Sequence, residues 1–374
     1  MGEPRALVMK GIARPAWPRR RTRTVRIGSV PVGGGAPIAV QSMTKTDTRD
    51  VAATLRQIES LGRAGCEIVR LAVPDRRAAL ALKAIKKSAS LPIVADIHFD
   101  HRLALAALDA GVDGLRINPG NIGEKAKVRE VVRAARERTV PIRIGVNAGS
   151  LEKLLLRKYG GPAPRALVES ALGHIKILED LDFELIKVSL KSSDVLTTLA
   201  AYRLLAAKVD YPFHAGITEA GGPVSGAVIS AVGLTLLLEE GLADTIRVSL
   251  TAPPEDEVRA GYLILAGLGI RRRGIRVVSC PTCGRCEIDL TTIAAEVERR
   301  LRDLSGDLTV AVMGCTVNGP GEAKGADLGI ACGRGGGALF KRGRLLRRIP
   351  EARIVDELVA EAVRLAAEAK EAEE

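Results

Sequence analysis

Short runs rich in Val, Ile and Leu alternate with longer stretches whose apolar residues recur every three or four positions, from residue 38 to about residue 268. The runs at 38–43, 67–73, 92–98, 114–118, 141–147, 185–191, 212–218 and 245–251 predict strands. The stretches 51–64, 76–87, 102–110, 125–135, 166–179, 195–207, 224–239 and 255–268 predict the helices that follow them. Eight βα units in succession are the pattern of a closed (β/α)8 barrel of the TIM type, and the eighth ends just before a break in composition, which favours a barrel over an open doubly wound sheet. Beyond residue 271 the pattern predicts a small α/β domain, with strands at 276–280, 308–314 and 327–332, helices at 290–304 and 351–370, and a hairpin over 337–349 turning at Arg342-Gly343-Arg344. Residues 1–37 carry several Pro and many Arg, then Val/Ile runs broken by Gly33-Gly34-Gly35, and read as a basic extension ending in a small hairpin. The expected division is therefore 1–37, 38–270 and 271–374.

A hydrophobic content of 47% fills a core of this size, while aromatics at 2% leave packing to Leu, Ile, Val and Ala. The formal charge of +12 suits an anionic metabolite, nucleic acid or an acidic protein partner. With four Phe, four Tyr and one Trp there is little to stack bases on, and no nucleic-acid motif is present. The most apolar run, 227–238, is too short to cross a bilayer and is interrupted by Gly233, so no membrane role is expected. The basic N-terminus lacks the apolar core of an export signal, and clustered cysteines without a disulfide-rich domain fit a reducing cytoplasm.

The predicted strand ends are unusually polar: Arg70, Asp96 and His98, Arg116 and Asn118, Arg143 and Asn147, Lys187 with Ser189 and Lys191, His214, and Arg247 with Ser249. Residues two apart in a strand share a face. Helices cover the outside of such a barrel, so these groups should line its mouth, where active sites of this fold form. Several guanidinium and ammonium groups round one cavity call for an anion, and a diphosphate suits the bidentate geometry of Arg. His98 and His214 read equally as hydrogen-bonded strand-end histidines. Glu219, in a loop followed by Ala220-Gly221-Gly222, is a candidate proton donor or orienting group. Asn121-Ile122-Gly123 offers further backbone amides, which a turn and helix cap would explain as well.

Five of the six cysteines lie after residue 279, in a chain with four histidines. Cys280 and Cys283 form a CxxC, and Cys315 returns in the Gly/Pro-rich stretch Gly314-Cys315-Thr316-Val317-Asn318-Gly319-Pro320-Gly321-Glu322. Thiolates with few imidazoles favour a sulfur-rich metal centre over a mixed zinc site. Cys286 extends the CxxC to CxxCxxC, so spacing alone leaves the fourth ligand open between Cys286 and Glu322.

SCPTCGR and GCTVNGPGEA, together with PVGGGAPIAVQSMTKTDT, VADIHFD, LRINPGNIG, IRIGVN, IKVSLKSSD, HAGITEAGG and IRVSL, occur in order from the N-terminal region to the last domain. This series resembles the 4-hydroxy-3-methylbut-2-en-1-yl diphosphate synthases, the iron–sulfur enzymes of the non-mevalonate isoprenoid pathway. The resemblance implies one [4Fe–4S] cluster per chain, held by Cys280, Cys283, Cys315 and Glu322, and it favours Glu322 over Cys286. It implies reductive ring opening of 2-C-methyl-D-erythritol 2,4-cyclodiphosphate, electrons from flavodoxin or ferredoxin, and a homodimer whose site spans two subunits. It also places Glu219, Glu322 and His98 in the catalytic group. Four positions depart from the family pattern: Lys45 stands where Asn is usual, Pro253-Pro254 where Asp-Pro is usual, Cys332 where Gly is usual, and Cys286 is additional. A non-redox lyase with structural zinc, and an iron–sulfur regulatory or RNA-binding protein, are the competing readings.

Overall fold

The computed structural model describes residues 19–302, 304 and 306–373, so the N-terminal extension as far as residue 18 lies outside the described residues. One compact unit ends at Arg271 and a second begins at Arg272.

In the first unit a hairpin of β1 (Val25–Ile27) and β2 (Val30–Val32) precedes eight parallel strands: β3 (Ala39–Met43), β4 (Ile68–Ala72), β5 (Ile93–Asp96), β6 (Gly114–Ile117), β7 (Ile142–Asn147), β8 (Ile186–Lys191), β9 (His214–Ala215) and β10 (Thr245–Ile246). They run in the order β8-β7-β6-β5-β4-β3-β10-β9. A parallel bridge between Val188 and Phe213 joins the two ends and closes the circle. Strict alternation builds the wall: Ile142, Ile144 and Val146 join the core beneath the helices, while Arg143, Gly145 and Asn147 between them take the other face. Ile186, Val188 and Leu190 alternate in the same way with Lys187, Ser189 and Lys191.

The covering helices are α1 (Val51–Ala64), α2 (Arg76–Ser88), α3 (His101–Asp109), the single turn α4 (Pro119–Ile122), α5 (Lys125–Glu137), α6 (Lys153–Tyr159), α7 (Pro164–Glu179), α8 (Val195–Ala206), α9 (Pro223–Glu239) and α10 (Pro254–Gly267). Asp50, Asp75, Asp100 and Asp194 start four of them by accepting from backbone N–H groups of the first turn. None of the described helices is long and apolar enough to cross a membrane.

Strands β9 and β10 are much shorter than the runs 212–218 and 245–251. Beyond Ala215 and Ile246 the backbone finds other partners: Thr218 N–H donates to Ser192 and Thr251 N–H to Gly221. The early hairpin turns at Gly28-Ser29, upstream of the glycine triplet. Its Val25, Ile27 and Val32 pack on Ala39, Ile68 and Val94 at the N-terminal ends of the strands, so apolar side chains plug that end and leave the C-terminal end to the polar groups. Residues 19–23 are pinned to the barrel. Arg19 pairs with Asp244 at 3.0 Å, Arg23 pairs with Asp210 at 2.8 Å, and Arg20 donates to the carbonyls of Val209 and Tyr211.

The second unit is a five-stranded sheet of β11 (Arg276–Ser279), β12 (Thr309–Met313), β13 (Leu328–Gly333), β14 (Gly336–Lys341) and β15 (Arg344–Pro350), in that order. The first three are parallel; β14 and β15 form the hairpin, turning at Arg342-Gly343, both in the left-handed region. Helices α11 (Leu290–Leu301) and α13 (Ile354–Glu373) bury Val310, Val312, Leu328 and Ile330 on one face. The short α12 (Gly319–Gly325) packs on the other, against Ala331 and Phe340.

Candidate functional site

Parallel register sets the polar residues of the barrel side by side. Asp96 faces Arg116, Arg116 faces Arg143, and Arg143 faces Lys187 on successive strands. One layer further along, Gly145 faces Ser189 and Asn147 faces Lys191. Gly145 has a steric reason to be glycine, since a Cβ there would lie 2.5 Å from Arg116 Nε.

Arg70, Asp96, His98 and Arg116 form one network. Arg116 Nη1 donates to Asp96 at 3.1 Å, its Nη2 donates to the Gly145 carbonyl at 3.1 Å, and Arg70 approaches Asp96 at 3.5 Å while donating to the Met43 thioether. The half-exposed His98 ring lies 2.9 Å from Arg116 Nη1 and 3.4 Å from Asp96. Burial alone would raise the Asp96 carboxyl, but Arg70, His98 and Arg116 hold it well below the carboxylate range.

Arg143 and Lys187 have no such counter-ion among the described residues. Arg143 is 3% exposed and Lys187 is 2% exposed. Arg143 Nε and Nη1, Lys187 Nζ, Arg247 Nε, His214 Nε2 and the Gln41 amide have no hydrogen-bond partner among the described residues. Burial, followed by the charge of neighbouring Arg143, pushes the Lys187 and Lys191 ammonium groups well below their ordinary range. Burial lowers Arg143 and His214 in the same way, and brings Arg70 down to about 10 despite Asp96. His214 Nδ1 is 2.8 Å from Thr245 Oγ1, which leaves Nε2 as its open nitrogen. Unpartnered buried donors of this kind cost roughly 1–3 kcal/mol each, more when charged, and an anion in the cavity would satisfy several at once.

Not every expected residue joins this group. Asn118 is buried on the loop after β6, Ser189 donates to the Ile144 carbonyl at 3.4 Å, and Asn147 and Ser249 are half-buried at strand ends. Glu219 is exposed, with its backbone in the left-handed region at φ 56°, a conformation an L-residue holds at a cost and that clusters at functional loops. Glu257 was missed by the strand-end reading. It is 1% exposed on the inner face of α10 and accepts from Arg247, Ser42, Lys45 and the Leu250 N–H. Its sequence signal is the helical spacing Glu257, Gly261, Leu265, which puts a carboxylate on a buried face.

In the second unit Cys280 and Cys315 follow the C-terminal ends of the paired strands β11 and β12, and Gly314 N–H points at Cys280 Sγ from 3.4 Å. The N–H groups of Asn318, Val317 and Gly319 converge on the Cys315 sulfur and push its thiol down, favouring the thiolate. Cys283 is exposed, as is Glu322 in the first turn of α12. Among the described residues no three His, Cys, Asp or Glu side chains are already gathered as a metal-holding group. The donor types nevertheless suit an iron–sulfur centre: Cys280 and Cys283 in the loop after β11, Cys315 in an amide cradle after β12, and a carboxylate, Glu322, in the first turn of α12. Cys286 is oriented differently. Its thiol donates to the Ile288 carbonyl at 3.3 Å, and its sulfur stands 2.6 Å from where a Cβ on Gly314 would be. Cys332 is fully buried in the core under α11 and α13, and burial pushes its thiol up to about 12.

Backbone packing holds α12 in place. A Cβ on Gly329 would lie 2.3 Å from the Ala323 carbonyl oxygen. Gly329→Ala is therefore expected to destabilise the second unit by about 1–3 kcal/mol. Calorimetry should show an earlier transition for that unit and an unchanged one for the barrel; a single unshifted profile would contradict the tight packing.

Comparison with known proteins matches the GcpE TIM-barrel domain to residues 22–262 and the GcpE protein C-terminal domain to residues 276–364. The chain is 62% identical over 350 residues to the 4-hydroxy-3-methylbut-2-en-1-yl diphosphate synthase (flavodoxin) of Geobacter sulfurreducens, covering 94% of this chain and 99% of that protein. It is 57% identical over 343 residues to the protein of the same description from Thermodesulfovibrio yellowstonii, covering 92% and 98%.

Proposed function

We infer the reaction from one premise: the chain belongs to the GcpE family and is an oxidoreductase of that iron–sulfur family. Its proposed reaction is conversion of 2-C-methyl-D-erythritol 2,4-cyclodiphosphate to (E)-4-hydroxy-3-methylbut-2-enyl diphosphate. Two electrons and protons enter, the C–O bond to one phosphate opens, and a hydroxyl departs as water. The observation that carries the substrate class is the set of buried cations without partners, Arg143 and Lys187 above all. A diphosphate supplies the missing negative charge and acceptor oxygens.

Arg70, Arg116, Arg143, Lys187, Lys191 and Arg247 form the proposed anion-binding wall. Asp96 keeps Arg70 and Arg116 oriented, and Asn118, Asn147, Ser189, Ser249 and His214 supply neutral polar contacts. His98 and Glu219 stand at the rim, half-exposed and exposed, where a proton can be delivered to the leaving oxygen. Cys280, Cys283, Cys315 and Glu322 are the proposed ligands of one [4Fe–4S] cluster per chain, which supplies the electrons one at a time when bound. The hydrogen bond from the half-buried Cys286 thiol to the Ile288 carbonyl supports leaving it outside the ligand set. The descriptions of the relatives favour flavodoxin as electron donor, with ferredoxin as the alternative, and a cytoplasmic homodimer in which the cluster unit of one subunit completes the barrel site of the other is part of the same proposal.

Anaerobic turnover of the cyclodiphosphate with a chemical reductant, with the product identified by mass, tests the reaction. Iron-loaded protein that leaves the cyclodiphosphate intact would overturn it.

The lowered lysines add a prediction about protons. A folded-state value below the unfolded one means that the unfolded chain binds more protons between the two values, so these groups make the empty protein more stable as pH rises through that window. A bound anion restores the ammonium form. At a pH between the folded and unfolded values, inorganic pyrophosphate should therefore draw protons onto these lysines as it binds, seen in calorimetry as a buffer-dependent part of the enthalpy that shrinks in Lys187→Met. A buffer dependence that is the same in Lys187→Met as in the parent would contradict the assignment of Lys187 to the wall.

A further inference from the structure

We propose that Glu257 is a positioning residue for the anion wall, holding Arg247 and the loop that carries Ser249, with Lys45 as the second arm of the same clamp. This rests on the reading of the barrel mouth given above and extends it to two residues outside the polar strand ends.

One carboxylate collects four donors from two neighbouring βα loops. Glu257 Oε2 accepts from Ser42 Oγ at 3.0 Å and Arg247 Nη2 at 3.2 Å; Oε1 accepts from Leu250 N–H at 3.2 Å and faces Lys45 Nζ at 3.2 Å. Ser42 and Lys45 belong to β3 and the segment after it; Arg247 and Leu250 belong to the segment after β10. Lys45 Nζ also donates to the carbonyls of Leu250, at 2.8 Å, and Ala252. The two loops are thus tied at side-chain and backbone level through a group supplied from outside the barrel wall.

The geometry also says what the clamp does for the site. Glu257 engages Arg247 at Nη2, while Nε of the same guanidinium is buried without a partner. One part of the planar group is fixed by the protein, and the orientation of the remainder is set before any guest arrives. Ser249 immediately precedes Leu250, whose N–H and C=O are both held by the clamp. Glu257 itself sits in the first turn of a helix headed by Pro253-Pro254, with Pro253 at φ −51° as N-cap, so its base is stiff.

A buried carboxylate needs partners wherever it is, and a merely structural Glu257 would show its loss in folding alone. A positioning residue shows it in turnover. In anaerobically prepared, iron-loaded protein, Glu257→Gln is expected to lower kcat about 10- to 100-fold. Its affinity for inorganic pyrophosphate should be unchanged or tighter, because the change removes a negative charge from beside the cations. Lys45→Asn, which leaves the Arg247 contact in place, should lower kcat by less than Glu257→Gln. Glu257→Asp keeps the charge on a shorter arm and should also lose turnover, and it decides the matter if the Gln variant does not fold. Turnover equal to the parent in folded Glu257→Gln or Glu257→Asp would overturn the proposal, as would an activity loss that only tracks iron content and melting temperature. Failure of the parent protein itself to convert the cyclodiphosphate would instead strike the reaction assigned above.

Discussion

Arg143→Met is expected to give a protein that melts higher than its parent and no longer holds pyrophosphate or substrate. The guanidinium is 3% exposed, its Nε and Nη1 have no partner among the described residues, and Arg70 and Arg116 add like charge beside it. Methionine keeps most of the length without the charge, and replacing buried ionic groups with apolar ones of similar volume stabilises by about 1–4 kcal/mol in comparable cases. The same substitution removes a desolvated contact to phosphate, worth roughly 2–5 kcal/mol, or about 30-fold to several thousand-fold in affinity. Opposite signs for stability and binding are the mark of a cation kept for its guest. Thermal unfolding without ligand, paired with pyrophosphate calorimetry, measures both. A variant that melts lower and still binds would mean that Arg143 belongs to the scaffold.

That contrast also explains what could be read from the chain. The alternation Ile142-Arg143-Ile144-Gly145-Val146-Asn147 shows at once a strand, its apolar face towards helices and its polar face towards the barrel interior. A wall of arginines needs an anion, so the barrel and the class of guest proposed for it were read from the same alternation. The lengths of β9 and β10 were not, because ladder pairing ends where Thr218 and Thr251 find loop partners, and loop partners leave no period in the sequence. Helix α6 is only seven residues, too short to show an amphipathic repeat. The stretch Asn318 to Gly325 has the composition of a turn, yet from Gly319 it forms α12, with Pro320 in its first turn, where a missing N–H costs nothing. Glu257 was hidden for a different reason. A helix residue reaching into a site carries the same signal as a surface carboxylate until its helical face is known.

The ligand set of the cluster separates most sharply in a pair of substitutions. Cys286→Ser is expected to keep the proposed [4Fe–4S] cluster and most of the turnover. Glu322→Ala is expected to disturb the cluster and remove turnover by about a thousandfold or more, the scale of losing a group that acts on the reacting centre. Proximity in sequence argues the other way, since Cys286 completes a CxxCxxC run and sulfur is the better ligand for iron. Orientation outweighs proximity here. The half-buried Cys286 thiol donates to the Ile288 carbonyl at 3.3 Å, whereas Cys283 and Glu322 are exposed. Bringing Cys286 to iron would cost that hydrogen bond; bringing Glu322 costs only the solvation of an exposed carboxylate. Glu322 would hold the cluster through oxygen, a weaker partner for iron than a thiolate, which would suit a cluster that does more than carry electrons. Glu322→Cys is the informative third variant, expected to keep the cluster and impair turnover. Iron and sulfide analysis with activity, all under anaerobic conditions, reads the three together. Loss of the cluster in Cys286→Ser alongside full cluster and turnover in Glu322→Ala would reverse the assignment and make the centre an all-thiolate one.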